Sequence, residues 1–96
     1  MKKTNPMNAN GTSLQSYLLA EYEQLVKVFG EPTYGPNDFN LDKVTCEWVL
    51  EYAENKFCTI YDWKTYETPM EKYDWHIGGI DDECIEVIQS YFERNR

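Results

Sequence analysis

Apolar positions recur at Leu14, Leu18, Leu25 and Phe29, with Tyr22 and Val26 widening the stripe, and this is the spacing of one face of a helix. Thr12 followed three residues later by Gln15 fits a capping box, so the pattern predicts a helix from Thr12 to its stop at Gly30 and Pro32. Residues 1–11 are polar and aperiodic and predict a loose arm, with a single domain over 12–96. Residues 31–42 hold Pro32, Gly35, Pro36, Asn37, Asp38 and Asn40 and predict a turn-rich connection.

The period then changes from helical to two. In residues 44–52, Val44, Cys46, Trp48, Leu50 and Tyr52 alternate with Thr45, Glu47, Val49 and Glu51, which predicts a half-buried strand. Residues 53–56 can turn the chain, and 57–64 return as a second strand. That strand is apolar on both faces: Cys58 and Ile60 on one, Phe57, Thr59, Tyr61 and Trp63 on the other. Residues 66–73 read as a loop and 74–77 as a third strand ended by Gly78-Gly79. A second helix opens on Asp81, Asp82 and Glu83, acids that suit the positive end of the helix dipole. The expected fold class is α+β in the order α-β-β-β-α, a three-stranded antiparallel sheet with two helices packed on one face. Two helices shield one side of such a sheet, so the other side is expected to stay open.

Seventeen acidic against nine basic residues give a net charge of −8 over 96 residues. Phosphate contacts dominate nucleic-acid affinity, so direct binding to DNA or RNA is not expected. No apolar run is long enough to span a bilayer, and Met1-Lys2-Lys3 leads into polar Thr4-Asn5-Pro6 rather than an apolar signal segment. The expectation is a cytoplasmic protein without a membrane partner. Cys46, Cys58 and Cys84 are widely separated, without C-x-x-C spacing, so buried reduced thiols are expected and neither a metal site nor a cofactor is signalled.

Chemistry-bearing residues concentrate in Ile60-Tyr61-Asp62-Trp63-Lys64 and Tyr73-Asp74-Trp75-His76-Ile77-Gly78-Gly79. Tyr61, Trp63, Lys64, Trp75, His76, Gly78 and Gly79 form the candidate ligand site. Rings can stack on a nucleobase, Lys64 can meet a phosphate, and Gly78-Gly79 before a helix can offer backbone N–H groups to an anion. The plainer alternative is that both indoles are core rings. His76 with Asp62 or Asp74, and Cys46 or Cys58 as nucleophile, could be assembled into a catalytic set, but no spacing demands it, and the chain is expected to be non-enzymatic. Residues 62–86 carry eight acids against two lysines, so Asp62, Glu67, Glu71 and Asp74 could instead form an acidic, nucleic-acid-like face that occupies the basic groove of a nuclease.

Gly11-Thr12-Ser13-Leu14-Gln15, Phe29-Gly30-Glu31-Pro32-Thr33-Tyr34, Glu47-Trp48, Ile60-Tyr61-Asp62-Trp63-Lys64 and Trp75-His76-Ile77-Gly78-Gly79 resemble a family of small proteins encoded by many unrelated bacteriophages. The resemblance spans about seventy residues and carries no known reaction. Ser16 stands where that family has glycine, and Glu54-Asn55-Lys56 replaces a tighter acidic-glycine hairpin. The resemblance implies a phage accessory protein that antagonises host defence. Its partner would be a small nucleotide-like signal or a host defence protein; the open sheet face adds the expectation of a homo-oligomer.

Overall fold

A computed structural model describes residues 1–36, 38 and 43–96; of the predicted turn-rich segment, Asn37 and residues 39–42 lie outside the described residues. The elements in chain order are β1 (Lys2–Lys3), a 3-10 turn (Pro6–Ala9), β2 (Ser13–Ala20), α1 (Tyr22–Phe29), β3 (Glu47–Ala53), β4 (Lys56–Tyr61), β5 (Tyr73–Gly79) and α2 (Glu83–Asn95). The class is α+β with two helices and an antiparallel sheet, as the patterning predicts. Among the described residues, however, the sheet has five strands rather than three, in the order β1-β3-β4-β5-β2.

The largest departure is at residues 13–20, where a strand replaces the expected first half of the helix. An interval of four residues is close to a helical turn but is also an even number, so it satisfies the strand period equally well. Leu18 and Ala20 point into the core opposite Trp75 and Tyr73, while Tyr17 and Leu19 point out. A bulge at Gln15 interrupts the register and turns Leu14 to the outer face, opposite Gly78. The helix begins only after Glu21, whose backbone N–H donates to the Gln24 side chain at 2.9 Å, so the box-like cap sits nine residues beyond the expected one. Thr12 instead donates its hydroxyl to the Ala9 carbonyl.

The core lies between the helices and one sheet face. Trp48, Leu50, Cys58, Ile60, Trp75 and Ile77 come from the sheet, Leu25 and Phe29 from α1, and Cys84, Ile88 and Phe92 from α2. Each large apolar group removed from water contributes about 1.5–3 kcal/mol. Phe29 stacks on Tyr91 and Phe92, which ties the two helices together. The missing side chain of Gly79 lets Cys84 come against the strand, so the start of α2 can settle on the sheet.

The opposite face is divided rather than wholly open. Where the sequence predicts a loose arm, β1 pairs with β3, the Thr4 N–H donates to the Val49 carbonyl, and the 3-10 turn lies on β3 and β4. Val49 and Thr59, both on this second face, are thereby buried. The half nearer β5 and β2 has no such cover among the described residues.

Candidate functional site

On the uncovered half, register aligns one residue from each of four strands: Tyr17 on β2 stands opposite His76 on β5, His76 opposite Tyr61 on β4, and Tyr61 opposite Glu47 on β3. The rings meet edge to face, 5.0 Å apart for Tyr17 and His76 and 5.1 Å for Tyr61 and His76. Gly78 makes the row possible. A Cβ there would run into the Thr59 hydroxyl and press on the Tyr61 ring, so its absence gives Tyr61 room to lie over β5.

Just past β4 the row continues in Trp63, 43 % exposed, with its ring centre 6.5 Å from that of Tyr61. Two ammonium groups lie over its indole, Lys43 at 5.8 Å and Lys64 at 5.9 Å from the centroid. The backbone holds these three in place: the Lys64 N–H donates to the Lys43 carbonyl at 2.7 Å, and the Trp63 N–H donates to the Tyr73 hydroxyl at 3.1 Å. Asp62 anchors the bend. Its carboxylate is fully buried and accepts from the Thr45 N–H at 2.7 Å, the Cys46 N–H at 3.1 Å, and the hydroxyls of Thr45 and Thr65. Lys64 and Tyr66 follow in left-handed backbone conformation, with φ of 56° and 65°.

The predicted ligand residues are therefore split. Tyr61, Trp63, Lys64 and His76 come together at the surface. Trp75 does not: it is buried with no exposure, and its indole N–H donates to the Ala20 carbonyl at 3.1 Å. Neighbours in a strand point to opposite faces, so placing His76 outward requires Trp75 to be inward. Gly78 and Gly79 are likewise buried, within β5 and flanked by β4 and β2, so they form no anion cradle. Their role is to make room for the Thr59 and Tyr61 side chains and for Cys84. Of the acidic set, Glu67, Glu71 and Asp74 are exposed, whereas Asp62 is spent inside the fold.

Tyr17, Lys43 and Glu47 complete the surface and were not singled out by sequence patterning. Reading residues 13–20 as a strand places Tyr17 outward, so the signal existed but belonged to the wrong element. Burial, and then the charge of Asp62, raise the Glu47 carboxyl to about 7. Burial lowers His76, against a smaller opposing pull from Asp62, which favours a neutral imidazole at pH 7. The three thiols are buried. Burial raises Cys58 to about 12 and Cys46 further, so neither offers the accessible thiolate that covalent chemistry requires. Among the described residues there is no cluster of three His, Cys, Asp or Glu suited to a metal ion. No described helix is long and apolar enough to cross a membrane. Compared with protein-family models, curated proteins and solved structures, the chain has no match in any of the three.

Proposed function

We propose that this chain is a non-enzymatic binding protein that captures a small nucleotide-like ligand on Tyr17, Tyr61, Trp63 and His76, with Lys43 and Lys64 meeting its phosphates. The observation that carries the reading is the convergence of two ammonium groups on one exposed indole at the end of a row of rings. Stacking a base on an aromatic ring is worth about 1–3 kcal/mol, and two adjacent cations supply local charge for a phosphate. A net charge of −8 disfavours a long nucleic acid, whose many phosphates would meet the acidic remainder of the surface. A mono- or dinucleotide reaches only the local patch. Taken with the resemblance to small phage proteins, the ligand would be a signalling nucleotide of the host, and its capture would blunt a host defence.

Trp48 and Trp75 are sealed in the core, so a ligand-dependent change in indole emission reports on Trp63. Titration with cyclic dinucleotides, cyclic trinucleotides, ATP and NAD is expected to quench that emission and raise the melting temperature for at least one of them. Trp63→Leu should remove the quenching, and Lys43→Glu with Lys64→Glu should weaken binding at least tenfold. Absence of any shift across the panel, combined with tight capture of a host protein from lysate, rejects the proposal.

A further inference from the structure

The two edges of the sheet are built differently. β1 is two residues long and both are lysines, a short charged edge of the kind that resists pairing with another strand. β2, at the other edge, is eight residues long, Ser13–Ala20. The chain has 26 charged residues, 9 basic plus 17 acidic, and none of them falls in β2. It contains no proline either. Of the nine large apolar side chains exposed among the described residues, Leu14, Tyr17 and Leu19 are on β2, and Ile80 follows β5, its partner strand. Leu19 is 59 % exposed and Tyr17 48 %.

Two features shield part of this edge. The bulge at Gln15 breaks its regularity, and Gln89 reaches from α2 to donate to the Tyr17 carbonyl at 3.2 Å. Neither covers Leu19, and no charged or proline residue stands in the regular stretch 16–20.

We infer that β2 is a self-pairing edge, at which a second copy of this chain adds its own β2 antiparallel to the first and joins the two sheets. The charge distribution leaves this strip open to that occupant, and the exposed apolar pair Tyr17 and Leu19 is complementary to its own copy. Two copies at −8 each repel wherever their acidic surfaces face one another, and an uncharged strip is where they can approach. Antiparallel pairing of identical strands about a two-fold axis sets Tyr17 and Leu19 of one copy beside those of the other, so the exposed apolar groups of both are covered together. The inference goes beyond the ligand reading and stands without it. If both hold, the two rows of rings meet at their Tyr17 ends and form one platform with a Trp63 at each far end.

Sedimentation over a series of concentrations tests it on the unmodified chain. The mass is expected to move from 11.4 kDa towards twice that value as concentration rises. Leu19→Asp, at an exposed position, should hold the mass at the monomer value. Met70→Asp, which adds the same charge at an exposed site in the loop, should sediment like the parent. Amide exchange on the parent gives an independent reading, with concentration-dependent slowing expected in residues 16–20. A chain that stays monomeric throughout, a dimer that Leu19→Asp leaves intact, or slowing that appears only elsewhere overturns the inference.

Discussion

The indole of Trp75 stands edge-on to that of Trp48 on the helix side of the sheet, 5.6 Å between ring centres and 81° between planes. Both indole N–H groups donate to backbone carbonyls, Trp48 to Gly30 and Trp75 to Ala20. Each ring therefore joins a strand to a neighbouring segment as well as filling the core.

The contrast with Trp63 is measurable. Trp75→Ala is expected to cost about 3–5 kcal/mol, since it opens a large cavity and removes a buried hydrogen bond. Trp63→Ala, at the surface, loses the edge contact with Tyr61 and the two ammonium contacts and should cost only about 1 kcal/mol. Urea unfolding of the two variants separates them, and equal losses would contradict the placement of either ring.

Gly78→Ala forces a methyl group against the Thr59 hydroxyl and the Tyr61 ring. Overpacking of this kind costs about 1–3 kcal/mol. Thr59→Ala clears most of the obstruction, so the double variant should be more stable than the sum of the two single losses implies. A double-mutant cycle by chemical denaturation gives that coupling, and strict additivity would show that the two sites do not touch.

Asp62→Ala leaves the Thr45 and Cys46 N–H groups without their acceptor and should cost about 2–4 kcal/mol. Asp62→Asn should be milder, because its oxygen can still serve the two N–H groups while the threonine hydroxyls rotate to accept from its amide. Limited proteolysis of residues 62–72 follows the loop directly, and the alanine variant should be cut there first.

Glu47 makes stability depend on pH in an unusual direction for a carboxyl. Folding raises it from 4.5 to about 7, so the folded state holds the proton more tightly than the unfolded chain. Its stabilising contribution is complete below 4.5 and is lost as pH rises through about 7. With solvent screening of a half-buried group, the loss amounts to about 1–2 kcal/mol. Glu47→Gln should therefore be more stable than the parent at pH 8, and the difference should shrink towards pH 4. His76 works in the opposite sense: its lowered imidazole favours the neutral form, so stability falls as pH drops through the ordinary histidine range. That opposing slope should stand out in Glu47→Gln, and denaturation midpoints across pH reveal both.

The three central strands and α2 were legible as elements, although the strands run over Glu47–Ala53, Lys56–Tyr61 and Tyr73–Gly79 rather than 44–52, 57–64 and 74–77. Cys46, Trp48 and Leu50 recur at every second position, Gly78-Gly79 belong to the end of β5 rather than lying beyond it, and Asp81, Asp82 and Glu83 mark the helix start. Residues 13–20 were not, because Leu14, Leu18 and Tyr22 are four apart and that interval suits a strand as well as a helix. The arm was missed for a different reason. Lys2 and Lys3 have no apolar signal, since β1 pairs through its backbone at an edge where both side chains stay in water. Within the site, the choice between Trp75 and His76 depended on strand phase, which two apolar faces on β4 left open. The aromatic concentration itself was visible, but Lys43 and Tyr17 reach it only through the folded chain.

The buried carboxylate of Asp62 has a further consequence for recognition. Because it fixes the bend before Trp63, and the backbone of Lys64 is fastened to Lys43, an incoming molecule meets an indole already in position. Immobilising a rotamer-rich side chain at an interface costs about 0.5–1.5 kcal/mol, and preorganisation of the loop moves part of that expense from association to folding. Affinity on this surface should accordingly be lost through slackening of the threonine–aspartate anchor even when every residue that touches the guest is unchanged.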